Sequence, residues 1–189
     1  MPERDFIFGQ KNDEIGALSI GRVTVGYAGC GPIAVHNALA FLGTPARLDE
    51  IIGCYEKNGG LVLGGLMGTK PKTAADFLRA KGYAVDLIRR TGKCRKRLDE
   101  IVKNSRITIV QYGWAGLRRA DAEAGSKRPA AFGVGGHYLA ARYDEVSGRF
   151  ILYNAYSNDE GERAVHSVRT HISSQCSFVF DMAYISVGQ

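Results

Sequence analysis

A cysteine stands between two glycines and before a proline, at the start of an apolar stretch of the chain. The run is Gly29-Cys30-Gly31-Pro32, and residues 31–42 (GPIAVHNALAFL) predict a helix that is buried on most faces. A thiol attacks as a thiolate, and its pKa, ordinarily about 8.5, falls beside a helix N-terminus or a cationic group. The alternative is a buried core thiol, but the flanking glycines and the proline favour a nucleophile.

A helix start stabilises a nearby anion by only about 0.3 to 1 kcal/mol, so a histidine must supply most of the activation. Of the four histidines, His36 lies about 240° around the helix from Cys30 and is expected to face away. His166 and His171 fall in a polar stretch and are expected at the surface. His137 begins a strand after a Gly-rich loop, where its ring can face a cleft from a rigid support. We therefore predict that His137 is the base.

Asn154 completes the predicted triad. It ends the stretch RFILYN, which is expected to return beside the strand of His137 through a hairpin loop that ends in Gly148. A side-chain amide at this position can accept a hydrogen bond from the imidazole and fix its tautomer. The alternatives are an asparagine that only ends a strand, or an orienting role for Asn158 or Asp159 instead.

The elements that position these residues divide the chain into a helical first half and a strand-rich second half. Further helices are predicted over 48–57, over 72–81 with Thr73 as its cap, and over 97–104. Strands are predicted over 107–112, 137–143, 149–154 and 177–187. Residues 113–136, rich in Gly and charge, are expected to form a long mobile loop that leads into the strand of His137. Helices followed by an antiparallel sheet indicate the α+β class.

Length and composition fit one ordinary domain. The chain has 189 residues, of which 45% are hydrophobic and 23% charged, so we expect a single domain over 1–189 without membrane insertion. The first residues lead into no apolar secretory segment, so the expected location is the cytoplasm, or export by another route. The four cysteines form no C-x-x-C pair, which predicts free thiols, no metal site and no cofactor.

The net charge of +6 has its densest part at residues 89–97, where six of nine residues are cationic. Such a run can bind nucleic acid or an acidic membrane, but no aromatic residue interleaves with it, which favours a solvated turn. The Gly-rich segment after the second helix lacks the spacing of a phosphate-binding loop. We therefore predict no nucleic-acid partner.

Gly-Cys-Gly-Pro before an apolar helix, the LDEII segment after it, a Gly-His-Tyr strand start and a strand that ends in Asn occur together here. In this combination the chain resembles the papain-like cysteine peptidases. Over about residues 23–158 it is similar to the double-glycine leader peptidases that trim bacteriocin precursors. The resemblance implies a papain-like fold, with the nucleophile helix packed on the C-terminal antiparallel sheet. It also implies a thiolate–imidazolium pair, an acyl-enzyme intermediate and a peptide or protein substrate, with Cys30, His137 and Asn154 as the triad.

The chain departs from this family at the oxyanion hole. The family places a glutamine about six residues before the nucleophile, and Thr24 occupies that position here. Loss of one such donor lowers the rate about 10²- to 10³-fold. The hydroxyl of Thr24 or Tyr27, or Gln10 folding back toward Cys30, is expected to replace it.

Two other functions use the same residues. A domain that lacks an oxyanion donor can bind a peptide without cutting it, and Thr24 favours this alternative. An acyltransferase can pass the acyl group from Cys30 to an amine instead of water, through the same acyl-enzyme.

Overall fold

A computed structural model describes residues 6–89, 96–118, 132–155 and 160–188. Most of the predicted basic turn, and the alternative orienting residues Asn158 and Asp159, lie outside these ranges. The helices are α1 (Asp13–Gly16), α2 (Val25–Ala28), α3 (Cys30–Leu42), α4 (Leu48–Lys57), α5 (Pro71–Ala80), α6 (Leu98–Lys103) and α7 (Val168–Gln175). The strands are β1 (Ser19–Ile20), β2 (Val23–Thr24), β3 (Val85–Arg89), β4 (Ile107–Arg118), β5 (Phe132–Asp144), β6 (Arg149–Tyr153), β7 (Arg163–Val165) and β8 (Cys176–Val187). None of the helices in the described ranges is long and apolar enough to cross a membrane.

A six-stranded antiparallel sheet, in the order β3-β8-β4-β5-β6-β7, forms the middle layer of the fold. Successive side chains of a strand point to opposite faces, so Ile109 packs with α3, α4 and α5, whereas Val110 packs with α6 and α7. Helices therefore cover both faces of the sheet. The predicted α+β class agrees with this arrangement.

The helix that begins at Cys30 is the most deeply buried helix among the described residues, as its uniformly apolar sequence predicts. It ends at Gly43, whose φ of 81° is a left-handed conformation that glycine adopts without strain. The glycine before it serves packing. A Cβ at Gly29 would lie 2.3 Å from Cγ1 of Val25 and 2.7 Å from the Val25 carbonyl oxygen.

Some predicted elements are confirmed and others need correction. The helix over 48–57 is confirmed as α4. The next helix begins one residue earlier than predicted, with Pro71 in its first turn, and Thr73 lies buried inside the helix instead of capping it. Strand β3 and helix α7 were not predicted, because one is a short edge strand and the other, VRTHISSQ, has few apolar residues.

The predicted loop over 113–136 is wrong at both ends, since β4 continues to Arg118 and β5 already begins at Phe132. The glycines that suggested a loop instead make room within a ladder. Trp114 pairs with Gly135, and a Cβ at Gly135 would lie 2.6 Å from the indole ring. The strand therefore needs glycine where the indole ring crosses it.

An N-terminal arm, residues 6–12, runs along α3 toward the first turn of that helix. Asn37, fully buried on α3, accepts from the N–H of Ile7 and donates to its carbonyl oxygen, both at 2.8 Å. Phe6 stacks on Tyr153 with ring centroids 4.5 Å apart. These contacts fix the path of the arm, which carries Gln10 back toward Cys30.

Alanine substitutions at two glycines, one just before α3 and one within α4, should change the stability of the protein in opposite directions. Gly29→Ala forces the new methyl group into the Val25 backbone, so we expect the free energy of unfolding to fall by about 1 to 3 kcal/mol. Gly53→Ala, in the middle of α4 with open space around it, should raise the free energy of unfolding by about 0.5 to 1 kcal/mol. Urea denaturation of both variants measures the difference, and equal effects would contradict the packing role of Gly29.

Candidate active site

A cleft of about 570 Å³ opens where the start of α3 meets β4 and β5. Cys30 and His137, which lie 107 positions apart in the sequence, both line it. The N-terminal arm adds Gln10 to the same cleft, and Thr69 closes it from the segment before α5. The structure therefore brings the predicted nucleophile and the predicted base into one cavity.

Both residues lie at an open edge of β5. Strand β6 ends at Tyr153, which pairs with Ala140, so β5 has no strand neighbour on this side before Ala140 within the described part. The main-chain groups of Tyr138 are therefore available to other partners. Its N–H donates toward the Cys30 sulfur, and its carbonyl oxygen accepts from Nδ2 of Asn154 at 3.5 Å. Cys30 therefore lies beside the peptide unit that follows His137.

Burial is the main influence on the Cys30 thiol, which is only 7% exposed. It raises the pKa of Cys30 to about 11, although backbone N–H groups of Tyr138, Gly31 and Cys30 itself lower it. The resemblance to cysteine peptidases implies a lowered pKa and a standing thiolate. The burial of Cys30 instead favours the neutral thiol in the ligand-free protein.

The imidazole of His137 is held by the main chain of Asn154. Nε2 of His137 donates to the Asn154 carbonyl oxygen at 2.7 Å. A carbonyl oxygen only accepts, so Nε2 carries the hydrogen and Nδ1 is the basic nitrogen of the neutral ring. Asn154 therefore lies next to His137, but this contact is made by its backbone carbonyl and not by the side-chain amide that the sequence suggested, while its side-chain Nδ2 reaches the Tyr138 carbonyl oxygen.

A buried chain of polar groups supports the other side of the His137 ring. Tyr112 meets this ring edge-on at 5.9 Å between centroids, and its hydroxyl donates to Oε1 of Gln175 at 3.3 Å. The amide nitrogen of Gln175 donates to Nε2 of His171. His171 is 8% exposed, which corrects the surface position expected for it. Burial, together with the charges of Arg163 and His137, lowers the pKa of His171 to about 4.

The three oxyanion-hole candidates have different positions. Gln10 is 5% exposed and lines the cleft, and its Nε2 donates to the Gly26 carbonyl oxygen at 3.1 Å. Tyr27 lies at the rim, where its hydroxyl donates to the Leu66 carbonyl oxygen at 3.3 Å. Thr24 is exposed on β2 and is not among the residues that line the cleft. The geometry therefore favours Gln10, which has a second N–H on the same nitrogen.

The glycine after the nucleophile leaves less room than its size suggests. A glycine beside Cys30 could leave space for a substrate, but a Cβ at Gly31 would lie 2.2 Å from Oγ1 of Thr69. That space is filled by the protein. The rim of the cleft is apolar and open instead, with Tyr27, Leu66, Met67 and Val134 each at least half exposed. Exposed apolar side chains grouped at a cleft are typical of binding sites.

Sequence reasoning missed several residues of the cleft. Gln111 interrupts the apolar strand ITIVQY, and this interruption was a signal that a polar group faces the site. Thr69 and Gln175 gave no such signal, since neither belongs to a recognisable pattern.

Among the described residues, no three His, Cys, Asp or Glu side chains are grouped as metal ligands. The chain matches no protein-family model and no curated protein sequence.

Two substitutions of Asn154 separate its backbone role from its side-chain role. Its φ of 55° suits asparagine or glycine but strains a β-branched residue. We expect Asn154→Gly to keep the Nε2–H tautomer of His137, whereas Asn154→Val should lose it and cost about 1 to 3 kcal/mol of unfolding free energy. Nitrogen NMR shifts of the imidazole measure the tautomer. Loss of the tautomer in the glycine variant would show that the side-chain amide orients the ring.

Proposed function

We propose that this protein is a papain-like cysteine peptidase, with Cys30 as nucleophile, His137 as general base and Asn154 as the residue that orients His137. The observation that carries the proposal is the position of Cys30 at the peptide unit between His137 and Tyr138. The Tyr138 N–H donates to the Cys30 sulfur, and His137, on the other side of that unit, carries the imidazole. The helix position of Cys30, the fixed tautomer of His137 and the cleft that joins them support the same chemistry.

The raised pKa of Cys30 defines how the first step proceeds. Because the resting thiol is neutral, the proton moves to Nδ1 of His137 as the sulfur attacks the carbonyl carbon of the substrate. The carbonyl π electrons move to oxygen, and the resulting oxyanion accepts hydrogen bonds from the Cys30 N–H and from the second N–H of Gln10 Nε2. The imidazolium is stabilised by the Asn154 carbonyl oxygen at Nε2.

Collapse of this intermediate breaks the peptide bond. The electron pair of the C–N bond leaves with the amine, which takes the proton from Nδ1, and the acyl group stays on sulfur as a thioester. A water molecule then gives a proton to His137 and attacks the thioester carbonyl. Cys30 leaves as a thiolate and recovers the proton from His137, so the enzyme returns to its neutral state.

One observation favours a second function, the binding of a peptide without cleavage. A neutral thiol with a pKa of about 11 is a weak nucleophile unless substrate binding brings the proton acceptor into position. A cleft with an apolar rim would bind a peptide whether or not this happens. Cleavage assays decide between the two functions.

Cleavage of a peptide pool tests the proposal. The pool consists of acetylated dodecapeptide amides with Gly or Ala at the central positions and varied flanks, and mass spectrometry identifies the products. We expect cleavage that Cys30→Ser abolishes and that His137→Ala lowers about 10²- to 10⁴-fold. The matched controls are Cys54→Ser, a partly buried thiol that does not line the cleft, and His166→Ala at the surface. Cleavage that survives Cys30→Ser, or a pool that binds but stays intact, would contradict the proposal.

Opposite effects on the rate are expected for two of the three oxyanion-hole candidates, Gln10 and Thr24. Gln10→Ala should lower kcat about 10²- to 10³-fold with a small change in KM, because the lost donor acts on the oxyanion formed during the reaction. Thr24→Val should leave kcat unchanged, since Thr24 is exposed outside the cleft lining. Steady-state kinetics on one cleaved peptide measures both. A rate loss in the Thr24 variant alone would reassign the oxyanion hole.

A further inference from the structure

Three oxygen atoms beside the nucleophile are buried and find no hydrogen-bond partner among the described residues. They are Oε1 of Gln10, Oγ1 of Thr69 and Oε1 of Gln111, and all three residues line the cleft. Leaving a buried acceptor unpaired is costly, so such atoms are rare unless a ligand or water satisfies them. Three in one cleft indicate a binding surface for hydrogen-bond donors.

The position of Gln111 places it next to the reacting residues. It pairs with Tyr138 across β4 and β5, and residues directly opposite in a ladder project to the same face. Tyr138 packs in the core that contains Cys30, so Gln111 lies on the Cys30 side of the sheet. Its residue is half-buried while Oε1 is covered. The terminal amide torsion of glutamine is soft, so a small rotation turns this oxygen toward a ligand.

Thr69 approaches the nucleophile from the opposite wall. It is 7% exposed, and its hydroxyl lies against Gly31, the residue after Cys30. Its backbone is fixed because its carbonyl oxygen accepts from the Tyr138 hydroxyl at 2.7 Å. The hydroxyl is therefore held near the nucleophile by the same residue whose N–H contacts the sulfur.

The charge around the cleft selects the kind of donor. The described residues that line it include no Asp or Glu, and Lys11 adds a positive charge. A cationic ligand group would therefore enter without a counter-charge, which is unfavourable at a partly desolvated site. Neutral N–H groups meet no such penalty, and an extended peptide main chain presents them at regular intervals.

We propose that Gln111 and Thr69 recognise the main chain of the substrate, accepting its peptide N–H groups on either side of Cys30. The role rests on the proposed peptidase function for the identity of the ligand. It makes recognition depend on peptide groups and not on particular side chains at these contacts. The pair acts in binding, so it is separable from the chemistry of Cys30 and His137.

The test measures binding to the full chain carrying Cys30→Ala, so that no reaction occurs. The probe is acetyl-Ala-Ala-Gly-Gly-Ala-Ala-amide, whose side chains carry no donors, together with ester analogues in which oxygen replaces one N–H at a time. NMR titration gives the Kd of each. At one or two positions the ester should bind about 5- to 100-fold more weakly than the peptide, because it leaves a buried acceptor unpaired.

The variants assign this loss to named atoms. The peptide should bind Gln111→Met or Thr69→Val as weakly as one of the esters binds the parent protein. That ester should bind the variant no more weakly than it binds the parent, because the two changes remove the same hydrogen bond. Thr108→Val is the matched control. The Thr108 hydroxyl is also buried without a partner among the described residues, but Thr108 does not line the cleft. The Kd of the peptide for this variant should therefore stay within about twofold of the parent value.

Each outcome is decisive. Equal Kd values for peptide and esters, fully additive losses in the variants, or no binding of the probe would overturn the recognition role. Binding that requires a lysine in the probe would overturn it too, since the ligand would then be a cation. If the coupling is found while the protein with Cys30 intact cleaves nothing, the recognition role stands and the peptidase function fails. If cleavage is found without the coupling, the reverse holds.

Discussion

The site depends on the short length of β6. This strand stops opposite Ala140, so the preceding part of β5 keeps main-chain groups that no strand among the described residues pairs on that side. The first turn of α3 and the residue after β6 occupy this edge, where the Tyr138 N–H donates toward Cys30 and the Tyr138 carbonyl oxygen accepts from Asn154. A longer β6 would pair these groups within the sheet and exclude the sulfur. The end of one strand therefore determines where the Cys30 thiol and the His137 imidazole lie.

The same arrangement explains why the site is buried and what burial does to it. The N-terminal arm, tied to α3 by Asn37, closes the cleft beside Gln10. Closure removes water from the sulfur and raises the pKa of Cys30, which opposes the formation of a standing thiolate. The low dielectric that penalises the resting thiolate also strengthens each hydrogen bond to an oxyanion. The proposed mechanism, in which the proton transfer is coupled to attack, suits this environment better than one that begins from a preformed ion pair.

Many features of the fold and of the site could be predicted from local sequence patterns, whereas others depend on contacts between residues far apart in the chain. The almost uniformly apolar run of residues 31–42 predicted α3, and the expected hairpin between β5 and β6 placed Asn154 near His137. The glycines around Trp114 suggested a loop because composition does not reveal that an indole ring crosses a strand there. The contact of His137 with a carbonyl oxygen was not visible in the sequence, because every residue has one. The sequence leaves Gln10 as one of three candidates for the oxyanion donor. Its position beside the cleft depends on the contact between Ile7 and Asn37, which lie 30 positions apart in the chain.

The proposed role of Cys30 as the nucleophile is tested most directly by trapping the covalent intermediate on its sulfur. The protein is mixed with a peptide that it cleaves and quenched in acid within the first turnover, and its intact mass and digested fragments are measured. We expect a mass increase equal to that of the N-terminal product minus one water, located on the fragment that contains Cys30 and absent in Cys30→Ser. Cleavage without any adduct, or an adduct on Cys54, would contradict the assignment of Cys30 as the nucleophile.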